Sequence, residues 1–105
     1  MPVQIVFVRN SPENDVMFNE KARKVMMEFM SKRDVLLKKH GIKEIGSWLV
    51  LGEHLTIFAD EVASLDDFQQ FMMEPEYLAM MAYATIERKT AVSMEEAMKM
   101  LKQAK

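Results

Sequence analysis

The chain has 105 residues, half of them hydrophobic, with 14 Lys and Arg against 16 Asp and Glu and no cysteine. A chain of this length forms one domain with one hydrophobic core, so we expect a single domain over residues 1–105. The formal charge of -2 gives no general attraction to nucleic acid or anionic lipid, and the lack of cysteine excludes disulfides, thiolate catalysis and sulfur-ligated zinc.

The start of the chain has no basic run followed by a long apolar stretch, so it does not resemble a secretory signal. No apolar run approaches the roughly 20 residues that a membrane span needs. We therefore expect a cytoplasmic protein that binds neither membrane nor nucleic acid.

Residues 3–9 alternate as a β-strand does, and they are apolar on both faces. Val6 and Val8 occupy the positions that an exposed sheet would make polar, which is typical of a central strand. We expect these two valines to lie on a sheet face that the helices do not cover.

From about Val16 to His40 the apolar spacing becomes helical, and Gly41 provides a C-terminal stop. The predicted inner stripe of this helix contains Phe18, Ala22, Val25, Met26, Phe29 and Leu36.

Two strands follow, from Ile42 to Leu51 and from His54 to Ala59, and the short turn between them predicts an antiparallel hairpin. Gly46 weakens the first of these strands, so it predicts a β-bulge or a close backbone approach there.

Ser64 is a predicted helix N-cap, and Pro75 predicts that this second helix, which runs to about Tyr83, is kinked or in two parts. Thr85 to Ala91 is a predicted polar edge strand. Ser93 then opens a last helix, for which we expect Met94, Ala97, Met98 and Leu101 to face inward.

The order βαββαβ plus a C-terminal helix is that of an α+β, ferredoxin-like fold. Its four-stranded antiparallel sheet carries two helices on one face, so the opposite apolar face needs a cover. We expect a homodimer in which two such sheet faces meet. The C-terminal helix either folds over its own subunit or clasps the partner.

Several segments resemble the dimeric α/β-barrel superfamily of small ferredoxin-like proteins. The segments are 46–54 (Gly-Ser-Trp-Leu-Val-Leu-Gly-Glu-His), 59–61 (Ala-Asp-Glu), 64–68 (Ser-Leu-Asp-Asp-Phe) and 74–77 (Glu-Pro-Glu-Tyr). Members include cofactor-free monooxygenases of antibiotic synthesis, haem-degrading monooxygenases and lactone isomerases. The resemblance implies a ligand cavity between sheet and helices in each subunit, with the strand of Trp48 beside it.

The haem-degrading members use an Asn, a Trp and a helix-borne His. Asn10 and Trp48 match the first two, but residues 65–83 contain no histidine. We therefore predict no haem and no other tightly held cofactor, and keep Asn10 as a candidate ligand-binding residue.

His54 is the candidate catalytic residue, since a neutral imidazole at a strand start can take or give a proton near pH 7. The alternative, which the sequence favours, is a histidine of the hairpin turn that is partly exposed to solvent or lies in the dimer contact. No second ligand has a recognisable spacing, so no metal site is predicted. Asp60 and Glu61 are interpreted as a solvated strand end.

Arg33 and His40 fall inside the apolar stripe of the first helix. Arg33 could bind a carboxylate or phosphate in the cavity, but the favoured interpretation is a snorkelling side chain whose head reaches water. His40 is expected to lie against the last helix carbonyls.

Trp48, Tyr77 and Tyr83 are candidate walls for a planar ligand, although aromatic residues in a small domain are more often core. The twelve methionines suggest either copper(I) binding or packing. Their helical spacing among apolar residues favours packing, in which flexible methionines fill irregular gaps or line an adaptable pocket.

Two functional classes follow. The first is a binder of a small apolar or aromatic ligand, acting as a cofactor-free monooxygenase or isomerase. The second is a non-catalytic interaction or regulatory module. An RNA-recognition module shares the strand order, but residues 54–58 lack the paired exposed aromatics on which bases stack.

Overall fold

The computed structural model describes residues 2–104 of the chain. The strands are β1 (Val3–Asn10), β2 (Lys43–Val50), β3 (Leu55–Glu61) and β4 (Ala84–Ala91). The helices are α1 (Glu20–Lys39), α2 (Leu65–Met72), α3 (Pro75–Met81) and α4 (Met94–Gln103), and a short 3-10 turn spans Pro12–Asn14.

The four strands form one antiparallel sheet in the order β2-β3-β1-β4. In the two central strands Val6 lies opposite Phe58, and on the other side Val6 lies opposite Arg88 of β4. The register of the β2–β3 hairpin shifts between Glu44 and Gly46. The predicted ferredoxin-like fold, the hairpin and the irregularity at Gly46 are confirmed.

Helix α1 starts later than the periodicity predicts. Asn19 is its N-cap, and the Asn19 side chain accepts a hydrogen bond from the amide of Ala22 at 2.9 Å. Phe18 precedes the cap and is 81% exposed, so its predicted place on the inner stripe is wrong. The helix ends as predicted, because Gly41 adopts the left-handed conformation (φ 67°) that glycine favours.

The second helical region is broken into two helices, as predicted. Ser64 caps α2 by accepting a hydrogen bond from the amide of Asp66. Pro75 opens α3 at a position where its missing amide hydrogen costs nothing, and the extended Glu74 lets the chain change direction there.

The helices cover one face of the sheet, and Val6 and Val8 lie on that covered face. Both are at most 1% exposed and belong to the core cluster with Phe58 of β3. The prediction that they face away from the helices is therefore wrong. The physical reason is that β1 is apolar on both sides, so its alternation does not tell which side meets the helices.

We call the opposite side the open face, and it is formed by the alternate residues of the same strands. Its apolar members on the central strands are Val3, Ile5, Phe7, Leu55, Ile57 and Ala59. On β4 the same face carries Thr85, Glu87 and Lys89. The open face is therefore apolar along its centre and polar at the β4 edge.

Helix α4 contains no buried residue among those described. Met94 is 71% exposed and Leu101 is 65% exposed, so the prediction that the apolar stripe of this helix faces inward is wrong. The described chain measures 51 × 30 × 18 Å. Between residues 2 and 104, no helix combines the length and the apolar character that crossing a bilayer requires.

Candidate functional site

A pocket of about 180 Å³ lies between α1 and the β2–β3 side of the sheet. Its lining residues are Val16, Met26, Met30, Ser47, Trp48, Leu49, Thr56 and Phe58. We call it the α1–β2 pocket. The lining is apolar apart from two hydroxyl groups, which is the composition expected of a site for a small organic ligand.

Trp48 is the one predicted ligand-binding residue that lines this pocket. Its indole lies against Gly46, where an added Cβ would come within 2.6 Å of Trp48 Cη2. Trp48 is 54% exposed. Gly46 therefore leaves the space that lets the indole lie flat along β2. Because Trp48 lies opposite Ile57, the indole is on the open face, and Trp48 borders the pocket through its strand.

His54 and Asp15 form a hydrogen bond at the start of β3, through His54 Nδ1 and Asp15 Oδ2. We call this pair the rim dyad. Neither residue lines the α1–β2 pocket, but each is close in sequence to one that does, since Val16 follows Asp15 and Thr56 lies two residues after His54. Sequence reasoning found His54 but not Asp15, because the two are brought together only by the tertiary fold.

The carboxyl group of Asp15 is held from two sides. Its Oδ1 accepts a hydrogen bond from the amide of Met17 at 2.7 Å, while the imidazole of His54 contacts Oδ2. The hydrogen bond from His54 is the larger cause, and the Met17 amide the second, of a pKa of Asp15 below its ordinary value. The carboxylate therefore stays ionised at neutral pH.

Arg33 is buried at the centre of the molecule and pairs with Asp60. Arg33 Nη2 lies 2.5 Å from Asp60 Oδ1, and the two side chains are at most 2% exposed. The guanidinium also stacks over the ring of Phe58 at 4.3 Å. The predictions of a snorkelling Arg33 and a solvated Asp60 are wrong, because each buried charge supplies the partner that the other needs.

Burial raises the pKa of Asp60 above its ordinary value, and the positive charge of Arg33 acts in the opposite direction. Asp60 Oδ2 and Arg33 Nε have no hydrogen-bond partner within residues 2–104. This buried pair is therefore costly to form and sensitive to the loss of either member.

Aromatic side chains fill the space between the sheet and helices around this pair. Phe29 packs edge-to-face on Phe58 and Tyr77, with ring centroids 5.7 and 5.6 Å apart. Burial raises the pKa of the Tyr77 hydroxyl to about 12. Arg33 and Tyr77 thus lie in the core and do not line the α1–β2 pocket, so their role in ligand binding stays a prediction.

Asn10 and Tyr83 contact each other where β1 ends beside the start of β4, and Asn10 Nδ2 donates to the Tyr83 carbonyl oxygen at 2.8 Å. Tyr83 borders a shallow, polar depression with Arg9 and Thr85. Neither residue lines the α1–β2 pocket. Their proposed contact with a ligand also stays a prediction.

His40 is paired with a carboxylate and not with the helix carbonyls. Its Nε2 lies 2.9 Å from Glu74 Oε1, and Lys39 Nζ reaches the same oxygen at 2.7 Å. The prediction placed the ring at the end of its own helix, where Glu74, 34 residues away, could not be foreseen. Only the backbone amide of His40 bonds to the last turn.

No group of three or more His, Asp or Glu side chains within residues 2–104 is arranged to hold a metal ion. The absence of metal and cofactor stays a prediction. Among the methionines, Met80 is buried in the core, whereas Met27, Met73, Met94 and Met100 are more than half exposed. Packing inside the subunit therefore accounts for only part of the methionine content.

No protein-family model matches this sequence, and no curated protein matches it either. Solved structures do match. A suspected antibiotic biosynthesis monooxygenase from Nitrosomonas europaea has a TM-score of 0.62 at 9% identity, covering 90% of this chain and 99% of that one.

An uncharacterised NIPSNAP domain protein from Burkholderia xenovorans has a TM-score of 0.61 at 12% identity, over 89% of this chain and 94% of that chain. A structural genomics target from Agrobacterium tumefaciens has a TM-score of 0.57 at 17% identity, over 88% and 92% of the two chains. At these identities the likeness concerns the fold. The chain therefore has the ferredoxin-like fold that these solved structures share, as predicted.

Proposed function

We propose that the protein binds a small apolar or aromatic ligand of about one ring in the α1–β2 pocket, and acts on it as a cofactor-free monooxygenase or isomerase. The observation that carries the proposal is an apolar pocket of about 180 Å³ between helix and sheet. Pockets for drug-sized ligands occupy about 300–1,000 Å³, whereas a cavity of about 150 Å³ admits benzene. A single ring with small substituents is the matching size.

The structural neighbours support the choice of reaction class by analogy of fold. One of them is a suspected antibiotic biosynthesis monooxygenase, and another solved structure of similar fold is named an antibiotic biosynthesis monooxygenase. Fold alone does not determine chemistry. The isomerase alternative rests on the rim dyad, because an imidazole paired with a carboxylate can move a proton without any oxidant.

The functional unit that we propose is a homodimer joined through the open faces. Isolated apolar side chains are common on surfaces, but a contiguous apolar stripe along two central strands marks an interaction site. Ile5, Phe7 and Ile57 lie side by side on this stripe. A second copy of the same face offers a complementary apolar surface, and two-fold symmetry is the commonest way to join identical subunits.

Fluorescence titration tests the ligand proposal, because Trp48 is the sole tryptophan and its strand, β2, borders the pocket. Phenol and benzoate serve as one-ring probes, and a three-ring anthracene carboxylate serves as an oversized probe. We expect one-ring probes to quench Trp48 with saturation and the oversized probe to bind weakly. Absence of saturable quenching by every one-ring probe would contradict the proposal.

Met26→Gln and Met27→Gln form a matched pair of variants. Met26 lines the pocket, whereas Met27 is its neighbour in α1 and is 65% exposed on the outer side. A polar amide in the apolar lining weakens binding by about 1–3 kcal/mol, or roughly ten-fold or more. We expect Met26→Gln to lose that affinity and Met27→Gln to retain it.

A second candidate function is a non-catalytic interaction module. The exposed apolar stripe of α4 favours it, because Met94, Met98 and Leu101 have no cover within the described part of the chain. If the one-ring probes fail to bind while the protein still forms a dimer, this second function becomes the better one.

A further inference from the structure

We propose that the α1–β2 pocket selects a neutral ring that carries a hydroxyl or carbonyl oxygen, and that the Thr56 hydroxyl is the group that selects it. This inference rests on the proposed ligand-binding function and adds the chemical class of the ligand. Thr56 is then a specificity-determining residue of the pocket, and Ser47 supplies a second hydroxyl from the neighbouring strand.

Four side chains of β2 and β3 form the sheet side of the pocket. In the β2–β3 register Ser47 lies opposite Phe58, and Leu49 lies opposite Thr56. All four therefore project from the face of the sheet that carries the helices. The two hydroxyl-bearing residues occupy diagonal corners of this square, about 7–8 Å apart. The other two corners are apolar, as are the α1 side chains that line the pocket, so a polar ligand atom finds partners at these two corners.

The Thr56 hydroxyl has no partner inside the subunit. Thr56 is 8% exposed, and its Oγ1 forms no hydrogen bond with any residue from 2 to 104. A buried hydroxyl without a hydrogen bond is costly, because the unfolded chain bonds the same group to water. A threonine hydroxyl both donates and accepts, so a phenol or a ring ketone can bond to it. Such a ligand recovers the lost free energy, whereas a hydrocarbon ring does not.

The lining disfavours a charged ligand. None of the described residues that line the pocket has an ionisable side chain. Arg33 stacks on the ring of Phe58 from within the core, but its charge is already paired with Asp60. An ionised carboxylate would therefore lose its water without gaining a cation, which is costly. A neutral hydroxyl or carbonyl oxygen loses less on entry and gains a hydrogen bond.

A ¹⁹F NMR titration of the full chain tests the inference with three probes of one ring each. Fluorobenzene has no oxygen, 4-fluorophenol carries a neutral hydroxyl, and 4-fluorobenzoate carries a carboxylate that is ionised at neutral pH. We expect 4-fluorophenol to bind roughly five- to ten-fold more tightly than fluorobenzene, which corresponds to one hydrogen bond. We expect 4-fluorobenzoate to bind more weakly than 4-fluorophenol, because its charge stays unpaired in the pocket.

Thr56→Val is the decisive variant, because valine keeps the shape of threonine and lacks the hydroxyl. We expect it to bind fluorobenzene as the wild type does and to lose the preference for 4-fluorophenol. Without ligand it should unfold at a higher urea concentration than the wild type, since the unpaired hydroxyl is gone. Thr85→Val is the matched control, because Thr85 is exposed on β4 and does not line the pocket. It should keep the wild-type preference.

The outcomes separate this inference from the proposed function. Equal binding of 4-fluorophenol and fluorobenzene by the wild type, or an unchanged preference in Thr56→Val, would overturn the inference and leave the ligand site standing. No binding of any of the three probes would overturn both. A Thr56→Val variant that fails to fold, or unfolds more readily than the wild type, would show that the hydroxyl is already hydrogen-bonded within the subunit. That result would also overturn the inference.

Discussion

The two faces of the sheet use the same strands in opposite ways. On the covered face Val6, Val8 and Phe58 are almost fully buried against helices, together with the Arg33–Asp60 ion pair. On the open face Ile5, Phe7 and Ile57 are only partly covered, although they are as apolar as their neighbours. The helices of one subunit therefore cover only one of the two apolar faces that the central strands carry.

The largest effect is expected on the covered face, when one member of the buried ion pair is removed. Arg33→Met leaves Asp60 as an uncompensated buried charge, and Asp60→Leu does the same to Arg33. Each should lower the free energy of unfolding by about 3–5 kcal/mol in a urea titration. The double variant should recover most of this loss, because similarly sized apolar residues often replace a buried pair with little cost.

Lys32→Met is the matched control for this prediction. Lys32 adjoins Arg33 in sequence and pairs with Glu28 at 2.8 Å, but its side chain is 50% exposed. Exposed ion pairs contribute about 0–1 kcal/mol. A loss from Arg33→Met no greater than that from Lys32→Met would mean that the buried pair does not organise the core.

The open face gives the second prediction. Ile57→Glu places a charge at the centre of the apolar stripe, where burying it against a second copy costs several kcal/mol. Light scattering should report twice the subunit mass for the wild type at micromolar concentration and a single subunit for Ile57→Glu. Circular dichroism should show that the variant keeps its helices and strands.

Lys89→Glu tests the same face at its polar edge. Lys89 lies on β4, opposite Ile5 of the apolar stripe. It makes an exposed ion pair with Glu87 at 3.0 Å. This variant should stay dimeric. A wild-type protein that is a single subunit, or a dimer that Ile57→Glu leaves intact, would show that the open face is not the interface.

The third prediction concerns the β2 end of the open face. Gly46→Ala puts a methyl group within 2.6 Å of Trp48 Cη2. Because the obstacle is the far end of a side chain, the indole should move and the cost should be at the lower end of the range for overpacking, about 1 kcal/mol. A shifted Trp48 emission maximum would report the movement.

Trp48→Leu removes the obstacle, so it provides the control background. Adding Gly46→Ala to Trp48→Leu should cost less than adding it to the wild type, which a double-mutant cycle measures. Equal costs in the two backgrounds would mean that the backbone of the bulge, and not the indole, requires glycine at position 46.

The sequence was sufficient for the element order because each element has a local cause. Gly41, Ser64, Pro75 and Ser93 mark helix ends through their own conformations and hydrogen bonds. The face of Val6 could not be read, because both sides of β1 are apolar. Arg33 lies in the apolar stripe of α1, as the periodicity shows, but its partner Asp60 is 27 residues away.

The candidate site shows the same limit. Trp48 was predictable from its strand and from the family resemblance, whereas Asp15 was not, since 39 residues separate it from His54. The helical spacing of Met26 and Met30 predicted that they fill gaps or line an adaptable pocket, and they line the α1–β2 pocket. Periodicity identifies which side chains are buried, but it does not show whether they contact other side chains or line a pocket.

The smallest effect on stability is expected at the rim dyad, because the His54 side chain is partly exposed to solvent. His54 and the Met17 amide lower the pKa of Asp15, so the folded state binds fewer protons than the unfolded state near that pKa. The dyad therefore contributes stability above the ordinary pKa of Asp15, 3.8, and this stability is lost as the pH falls through the lowered value.

Asp15→Asn should thus destabilise the protein at about pH 5 and make its stability less dependent on acid, as urea titrations at several pH values measure. His54→Asn should reduce the same dependence of stability on acid in part, because the Met17 amide still lowers the pKa of Asp15. The double variant should reduce it no further than Asp15→Asn alone does. Additive effects of the two variants would show that Asp15 and His54 act on stability separately, which would remove the physical basis for treating them as a dyad.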